Sequence, residues 1–161
     1  SLCIWHKTMR DLQAGDKPDE VTWNALRNCQ SGGAIVVMAH EHSYARTRTL
    51  TDVGNEPGGH GAIGTPARVE VGPGHTFTAV SGLGGRSIRG YDAGLHSDDT
   101  WWATLYTSNY YRRNGKKIER FSADYGALFI RFHVGGDPKK AHAYFKNIEK
   151  TVIDEFEIVH R

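Results

Sequence analysis

AIVVMAHEHSYAR, residues 34–46, is the stretch of sequence that decides the fold. Its first residues, 34–39, are apolar or small without polar alternation, which is typical of a strand buried on both faces of a parallel sheet. Polar residues begin at His40, at the carboxyl end of this strand, where open α/β sheets place their ligands. Because residues two apart in an extended chain point the same way, His40 and His42 are predicted to aim their imidazoles at neighbouring points.

The segments before this strand predict a βαβ unit. Leu2–Trp5 is a short apolar strand that ends at His6, and a helix is predicted between it and residue 34. A strand–helix–strand crossover is right-handed and makes its two strands parallel. His6 and His40 are therefore predicted to lie at the same edge of the sheet.

The helix of this unit is predicted from Pro18 to Gln30. Asp16 is its predicted cap, with Asp19 three residues after the cap, and Gly32-Gly33 is predicted to end it. An apolar stripe along one face is formed by Val21, Ala25, Leu26 and Cys29.

The rest of the chain changes from loops to regular strands. Asp52–Gly74, rich in Gly and Pro, predicts a long irregular loop in which Val69 and Val71 can add a brief strand, and Thr76–Ser81 predicts a strand. Trp101–Tyr111 is predicted to form a short helix, with its aromatic residues packing under the long loop in preference to lining a substrate mouth. Three strand-like runs are then predicted to form an antiparallel meander: Tyr125–Val134, Ala141–Ile148 and Val152–Val159.

Length and charge restrict the class of protein. A chain of 161 residues is long enough for one domain, and no apolar run reaches membrane-spanning length. The formal net charge of +2 is too small to indicate nucleic acid or an anionic membrane as the main partner.

Cys3 and Cys29 can form one disulfide or remain two small buried side chains. Because the chain enters a strand at residue 2, we expect further sequence before Ser1.

Three histidines at one predicted edge indicate a metal site. Neutral imidazoles are good ligands for Zn²⁺, Fe and Mn²⁺, so His6, His40 and His42 are candidate ligands. The alternative is a set of polar residues that caps strand ends. The three make a partial set, because a hydrolytic two-metal site also needs bridging carboxylates, and no Asp stands at the end of a predicted parallel strand.

HEHSYAR, residues 40–46, resembles the GHxHxYxR segment of the calcineurin-like metallophosphoesterases, especially the purple-acid-phosphatase-like branch. Further similarity lies in Gly33–Val36, in VSGLGG at 80–85, in YGALF at 125–129 and in DEF at 154–156. Ala39 departs from the family's Gly, and the residues after His6 lack the usual Pro and Tyr. The amino-terminal motifs that supply the bridging Asp and the Asn ligand are absent, so residues 1–161 resemble the carboxyl-terminal half of such a domain.

The resemblance implies an α/β fold that is part of a four-layer α/β/β/α sandwich, with a βαβ unit followed by a largely antiparallel sheet. It implies that His6 and His40 bind one metal and His42 the other, the two ions being Fe, Zn or Mn. Phosphoesters, most readily phosphomonoesters, would be hydrolysed by an activated hydroxide. Family habit favours a secreted or periplasmic location.

Other residues are assigned smaller roles. Arg86 lies in the glycine-rich turn Ser81–Ser87 and Arg89 follows it, and both are predicted to lie near the substrate. This turn lacks the Gly-Lys-Ser/Thr ending of a P-loop. His96 is the histidine chosen for testing as an acid, and the other histidines without a supporting pattern are expected mostly at the surface. A Ser–His–Asp triad is disfavoured because no Gly-x-Ser-x-Gly elbow occurs.

If the chain is half of a domain, part of its surface is expected to be exposed. Without the amino-terminal half, an edge strand and apolar side chains would be uncovered, and we expect a separate chain or a second copy of this chain to cover them. The isolated chain is expected to be inactive. The alternative function is a catalytically inactive structural or binding fragment with at most a weak metal site.

Overall fold

The computed structural model describes residues 1–18, 21–54 and 59–161, which form two β-sheets with two α-helices. The helices are α1 (Trp23–Ser31) and α2 (Ala93–His96). The strands are β1 (Leu2–Ile4), β2 (Ile35–Met38), β3 (Tyr44–Thr47), β4 (Arg68–Val71), β5 (Thr78–Ser81), β6 (Trp102–Tyr106), β7 (Tyr111–Arg113), β8 (Lys116–Lys117), β9 (Gly126–Phe132), β10 (Lys140–Asn147) and β11 (Val152–His160). Short 3₁₀ turns lie at Arg10–Leu12, Gly59–Gly61 and Val134–Gly136. Neither α-helix is long and apolar enough to cross a bilayer.

The strand order places β2 inside the first sheet. This sheet runs β1-β2-β5-β3-β6-β7-β8, and the second runs β4-β11-β10-β9. Strand β2 pairs in parallel with β1 on one side and with β5 on the other. Val36 and Met38 enter the core beneath α1, while Ile35 enters the core between the sheets, so both faces of β2 are covered as predicted.

The βαβ unit is confirmed, and it is cross-linked. Cys3 of β1 and Cys29 of α1 form a disulfide, which settles the two alternatives left open by the sequence. Leu26 of α1 is fully buried against the first sheet. Helix α1 and the two sheets thus supply successive layers of the predicted sandwich, and the α/β fold class is confirmed.

The predicted start of the helix is wrong. Helix α1 begins at Trp23, not Pro18, with Thr22 at its N-cap position, and Asp19 lies outside the described residues. The side chain of Gln13 accepts from Lys17 N at 3.1 Å and donates to Lys17 O at 2.7 Å. Because these bonds take up the main chain beside Asp16, the cap cannot form there.

The predicted helix at Trp101–Tyr111 is also wrong. Residues 102–106 form β6, every residue of which is buried, between β3 and β7. A strand covered on both faces shows no alternation of polar and apolar residues, and its aromatic run therefore has no period to identify it. Trp101, Trp102 and Tyr106 are core residues, as the packing interpretation of this segment predicted.

The last three strands form the predicted antiparallel meander. Ala143 of β10 faces Ile130 of β9 on one side and Phe156 of β11 on the other. Strand β4 contains the brief strand predicted at Val69 and Val71 within the long loop, and it adds in parallel to β11. Residues 55–58 of that loop lie outside the described residues. The second sheet packs on the first through the apolar cluster that includes Phe77, Ala143 and Phe156.

The predicted open edge is present. Strand β1 is the last strand of its sheet, and its side chains Leu2 and Ile4 are 46% and 69% exposed. Strand β9 is likewise the last of the second sheet and carries Phe132, which is 51% exposed. Phe132 and Ser1 line a common groove with Ile35 and Val71.

Candidate functional site

His6 and His40 meet at the carboxyl ends of β1 and β2. His6 Nε2 lies 3.1 Å from His40 Nδ1, and the ring centroids are 4.9 Å apart. The parallel ladder continues past the strands, because Ala39 N donates to His6 O at 3.1 Å. The structure therefore brings these two predicted ligands together, because the strands of the βαβ unit are parallel and end at the same edge of the sheet.

The chain turns sharply at His40. This residue has φ of +66°, a left-handed conformation that non-glycine residues adopt rarely and that is often found at functional sites. Glu41 N then donates to Ala39 O at 2.8 Å, and Ser43 N donates to Glu41 O at 2.9 Å. Residues 40–43 are therefore bent, and the extended-chain argument that aligned His40 with His42 does not hold.

His42 is directed to the glycine-rich turn. Its Nδ1 lies 3.0 Å from Ser87 Oγ, and its carbonyl accepts from Arg89 N at 2.9 Å. Burial lowers the pKa of His42, and the charges of Arg89, Lys17 and Arg86 lower it further. The neutral imidazole, with a free electron pair, is therefore the favoured form.

Arg86 and Arg89 lie at the surface beside this histidine. Both side chains are exposed, and Arg89 Nη1 is 3.9 Å from Asp16 Oδ1, a weak and solvated pair. Their effect on the pKa of His42 shows that their charge reaches the histidine edge. Together with Lys17 they give this edge a positive potential, which suits an anion.

Two imidazoles do not complete a metal site. Across the described ranges, no group of three His, Cys, Asp or Glu side chains converges closely enough to hold an ion. Two imidazole nitrogens on one tetrahedral ion lie about 3.3 Å apart, given bonds of about 2.0–2.1 Å. The observed 3.1 Å between His6 Nε2 and His40 Nδ1 is a hydrogen-bond distance, and it is also close to that separation.

Glu41, between the two histidines, was missed by the sequence reasoning. It is fully buried, and neither carboxylate oxygen has a hydrogen-bond partner among the described residues. Burial raises the pKa of its carboxyl, and the charges of Arg89 and Lys17 oppose that effect. A Cβ atom on Gly15 would lie 2.5 Å from Glu41 Oε1, so a side chain here would force the carboxylate or the loop to shift.

A cleft of about 410 Å³ opens next to Glu41 and leads towards Arg89. Its walls are the loop before α1 and the segment that leads into α2. The lining residues are Gly15, Asp16, Glu41, Arg89, Gly90, Tyr91, Asp92 and Ala93.

His96 is placed away from solvent. It is 3% exposed, with Nδ1 at 2.8 Å from Asp99 Oδ2 and Nε2 at 2.7 Å from Gly15 O. Burial acts to lower the pKa of His96, but the hydrogen bonds to Asp99 and Gly15 outweigh it and raise the pKa. Both ring nitrogens are occupied, so the geometry gives no support to the prediction that His96 donates a proton to a substrate.

His60 departs from the expected surface position. It is 1% exposed and lies between two tryptophan rings, stacked on Trp23 at 5.6 Å and edge-on to Trp101 at 4.6 Å. Burial lowers its pKa. It is a packed core residue, and the sequence around it carried no periodic signal of burial.

The structure is thus a two-sheet α/β sandwich with a histidine-bearing edge. It is similar to the purple acid phosphatase PPD1 from seeds of yellow lupin (Lupinus luteus), with a TM-score of 0.57 and 16% identity over 90% of this chain and 21% of that one. No family model and no curated protein matches the sequence. The likeness at this identity shows the fold, and the chain spans about a fifth of the lupin protein's length.

Proposed function

We propose that this chain is part of a two-metal phosphoesterase that hydrolyses phosphomonoesters most readily. The observation that carries the proposal is the approach of His6 and His40 to 3.1 Å at the ends of adjacent parallel strands. The likeness of the fold to a purple acid phosphatase supports the same chemistry. Carboxyl ends of parallel strands are where open α/β sheets place their reactive groups.

Each residue at this edge has an assigned role. His6 and His40 would hold one ion, and His42, favoured as the neutral imidazole, would hold a second. Bound Fe, Zn or Mn ions would supply a nucleophilic hydroxide near neutral pH and charge neutralisation. Arg86 and Arg89 would attract and orient the phosphate, since guanidinium groups match phosphate oxygens in geometry and charge.

The remaining ligands are proposed to come from an amino-terminal half of the domain. Two donors of one ion need carboxylates beside them, and none converges on the pair within the described residues. The exposed Leu2 and Ile4 on β1 and Phe132 on β9 form an apolar border that such a half would cover. We place the missing donors on that partner, as the same polypeptide or a separate chain.

The test uses the complete protein, with the amino-terminal half present. His6→Ala and His42→Ala should each lower the bound metal and reduce kcat/KM for a chromogenic phosphomonoester by about 100-fold or more. His142→Ala is the matched control, because His142 pairs with Glu155 at 2.9 Å on the second sheet, outside the site. Unchanged metal content and activity in both site variants would overturn the assignment.

A second candidate function is an inactive structural fragment. The absence of a converging three-residue metal group in the described parts of the chain favours it. Calorimetric titration of this chain with Zn²⁺ and Mn²⁺ separates the two candidates. Binding at micromolar Kd or tighter, lost in His40→Ala, would argue against the inert fragment.

A further inference from the structure

The loop formed by residues 13–16 is tied to α2 at two points. Asp92 N donates to Ala14 O at 2.9 Å, and His96 Nε2 lies 2.7 Å from Gly15 O. The first bond joins two backbone groups and does not depend on pH. The second depends on the protonation of an imidazole.

The two partners of His96 are both acceptors. Asp99 Oδ2 faces Nδ1 at 2.8 Å, and Gly15 O faces Nε2 at 2.7 Å. A neutral imidazole has one N–H and one electron pair, so it can satisfy only one of these partners. Both contacts are hydrogen bonds only when His96 is the imidazolium, and loss of one proton would set a lone pair against an acceptor.

The same loop covers Glu41. Gly15 lies directly over the carboxylate of Glu41, and Asp16, the next residue, lies beside Arg89 at the rim of the cleft. Movement of loop 13–16 would therefore expose a buried carboxylate and release Arg89 from Asp16. Both events take place next to His42.

We propose that His96 is a positioning residue: its imidazolium holds loop 13–16 closed over Glu41, and deprotonation at rising pH lets this loop open and uncover the Glu41 carboxylate. The effect on turnover rests on the proposed phosphoesterase function. The opening itself does not.

The charged and titratable groups around His96 favour the closed state. Asp99 follows α2 and also accepts from Trp102 Nε1 of β6 at 3.0 Å, while Asp11 approaches from the 3₁₀ turn. From before α2, the Tyr91 hydroxyl donates to His96 O at 2.8 Å, and Asp92 caps the helix. The bent segment after β2 contributes Glu41, which is electrostatically coupled to His96.

The sign of the pH dependence follows from this environment. The pKa of His96 is raised in the folded protein, so its contribution is complete below the ordinary value of about 6.5. The contribution is lost as pH rises through the folded-state value. We therefore expect loop 13–16 to be closed below about pH 6.5 and to open as the pH rises through the raised pKa of His96.

The direct test is nitrogen NMR of histidine-labelled protein, which reports the proton on each ring nitrogen. At about pH 6, both nitrogens of His96 should be protonated, and hydrogen exchange of the loop 13–16 amides should accelerate as His96 titrates. A single protonated nitrogen at that pH, or exchange that ignores the titration, would overturn the proposal. Neither measurement uses enzymatic activity. A result that refutes the loop proposal can therefore be told apart from one that refutes the proposed phosphoesterase function.

Two carboxylate variants give the matched comparison. Asp99→Asn should lower the pKa of His96 by about one unit or more and speed loop exchange about tenfold near neutral pH. Glu155→Gln, at the exposed His142 pair, should change neither. In the complete enzyme, Asp99→Asn should move the alkaline limb of the pH–activity profile by the same shift, with KM more affected than kcat. Equal behaviour of the two variants would contradict the proposal.

Discussion

Arg46 of β3 and Asp154 of β11 form a bidentate ion pair that joins the two sheets across a fully buried interface. Arg46 Nη2 donates to Oδ1 at 3.0 Å, Arg46 Nε donates to Oδ2, and the hydroxyls of Tyr44 and Thr104 donate at 2.7 and 2.9 Å. Every oxygen of this carboxylate is satisfied. The Tyr44 and Arg46 side chains are therefore structural, although they sit in the segment that carries the histidines.

Removal of one partner should be costly. Asp154→Asn leaves the Arg46 guanidinium buried without its counter-ion, so we expect a loss of about 3–5 kcal/mol in the free energy of unfolding, measured by urea denaturation. Glu155→Gln is the control: it changes a neighbouring exposed carboxylate and should cost less than about 0.5 kcal/mol. A loss in Asp154→Asn no larger than the control would show that the pair contributes nothing.

The same pair predicts an acid-sensitive stability. Burial acts to raise the pKa of Asp154, but the Arg46 charge and the hydrogen bonds from Arg46, Tyr44 and Thr104 prevail and lower it. Its contribution is therefore complete above the ordinary pKa of about 3.9 and is lost as pH falls through the lowered value. Unfolding free energy measured from pH 7 to pH 2 should fall in this acid range. The part of this fall that comes from protonation of Asp154 should be missing in Asp154→Asn. Identical acid profiles for the native protein and this variant would contradict the prediction.

A side chain at Gly15 should destabilise the protein. A Cβ at this position would lie 2.5 Å from Glu41 Oε1, so Gly15→Ala forces the loop or the carboxylate to shift, at a cost of about 1–3 kcal/mol. Gly84→Ala is the matched control, because nothing lies within 4 Å of its added Cβ. Thermal unfolding of both variants measures the difference. Equal melting temperatures for Gly15→Ala and Gly84→Ala would mean that close packing of Gly15 against Glu41 does not limit the side chain at position 15.

The disulfide should stabilise the βαβ unit. Replacing both Cys3 and Cys29 with Ala removes a cross-link between positions 26 residues apart, and we expect a loss of about 2–4 kcal/mol. Reductant should lower the melting temperature of the native protein towards that of the double variant, and should leave the variant unchanged. Thiol titration of the unreduced, unfolded protein that finds two free thiols would contradict the cross-link.

The open edge should drive association of this chain alone. Ile4 is 69% exposed on edge strand β1, so light scattering should report species larger than a monomer, and Ile4→Lys should shift them towards the monomer. Val21→Lys is the control, because Val21 is 77% exposed but precedes α1, away from a strand edge. A monodisperse monomer of the native chain would exclude this association.

The meeting of His6 and His40 could be predicted from sequence because it needs only two rules: a βαβ crossover is parallel, and its strands end at one edge. The direction of His42 could not, since it depends on a φ of +66° at His40 that no residue type there signals. Alternation along an extended chain fails once a single residue leaves the extended region.

Burial without periodicity explains the other failures. Strand β6 is covered on both faces and was predicted as a helix, and Glu41, between two histidines, was given no role by the sequence. Gly15, which is distant in sequence, lies against the Glu41 carboxylate, and the loop that carries it is bonded to Asp92 and His96 through Ala14 O and Gly15 O. Tertiary contacts of this kind leave no mark on the local pattern.

The edge of β1 that no other described strand covers links the stability of this chain to whatever occupies it. The N–H and C=O groups of this edge form a row only in the folded strand, so an occupant that pairs with them would bind the native state and not the unfolded chain. The midpoint of a thermal melt would then rise with the concentration of that occupant, by RT ln(1 + [L]/Kd) in free energy. If the chain associates with itself through this edge, its melting temperature depends on its own concentration.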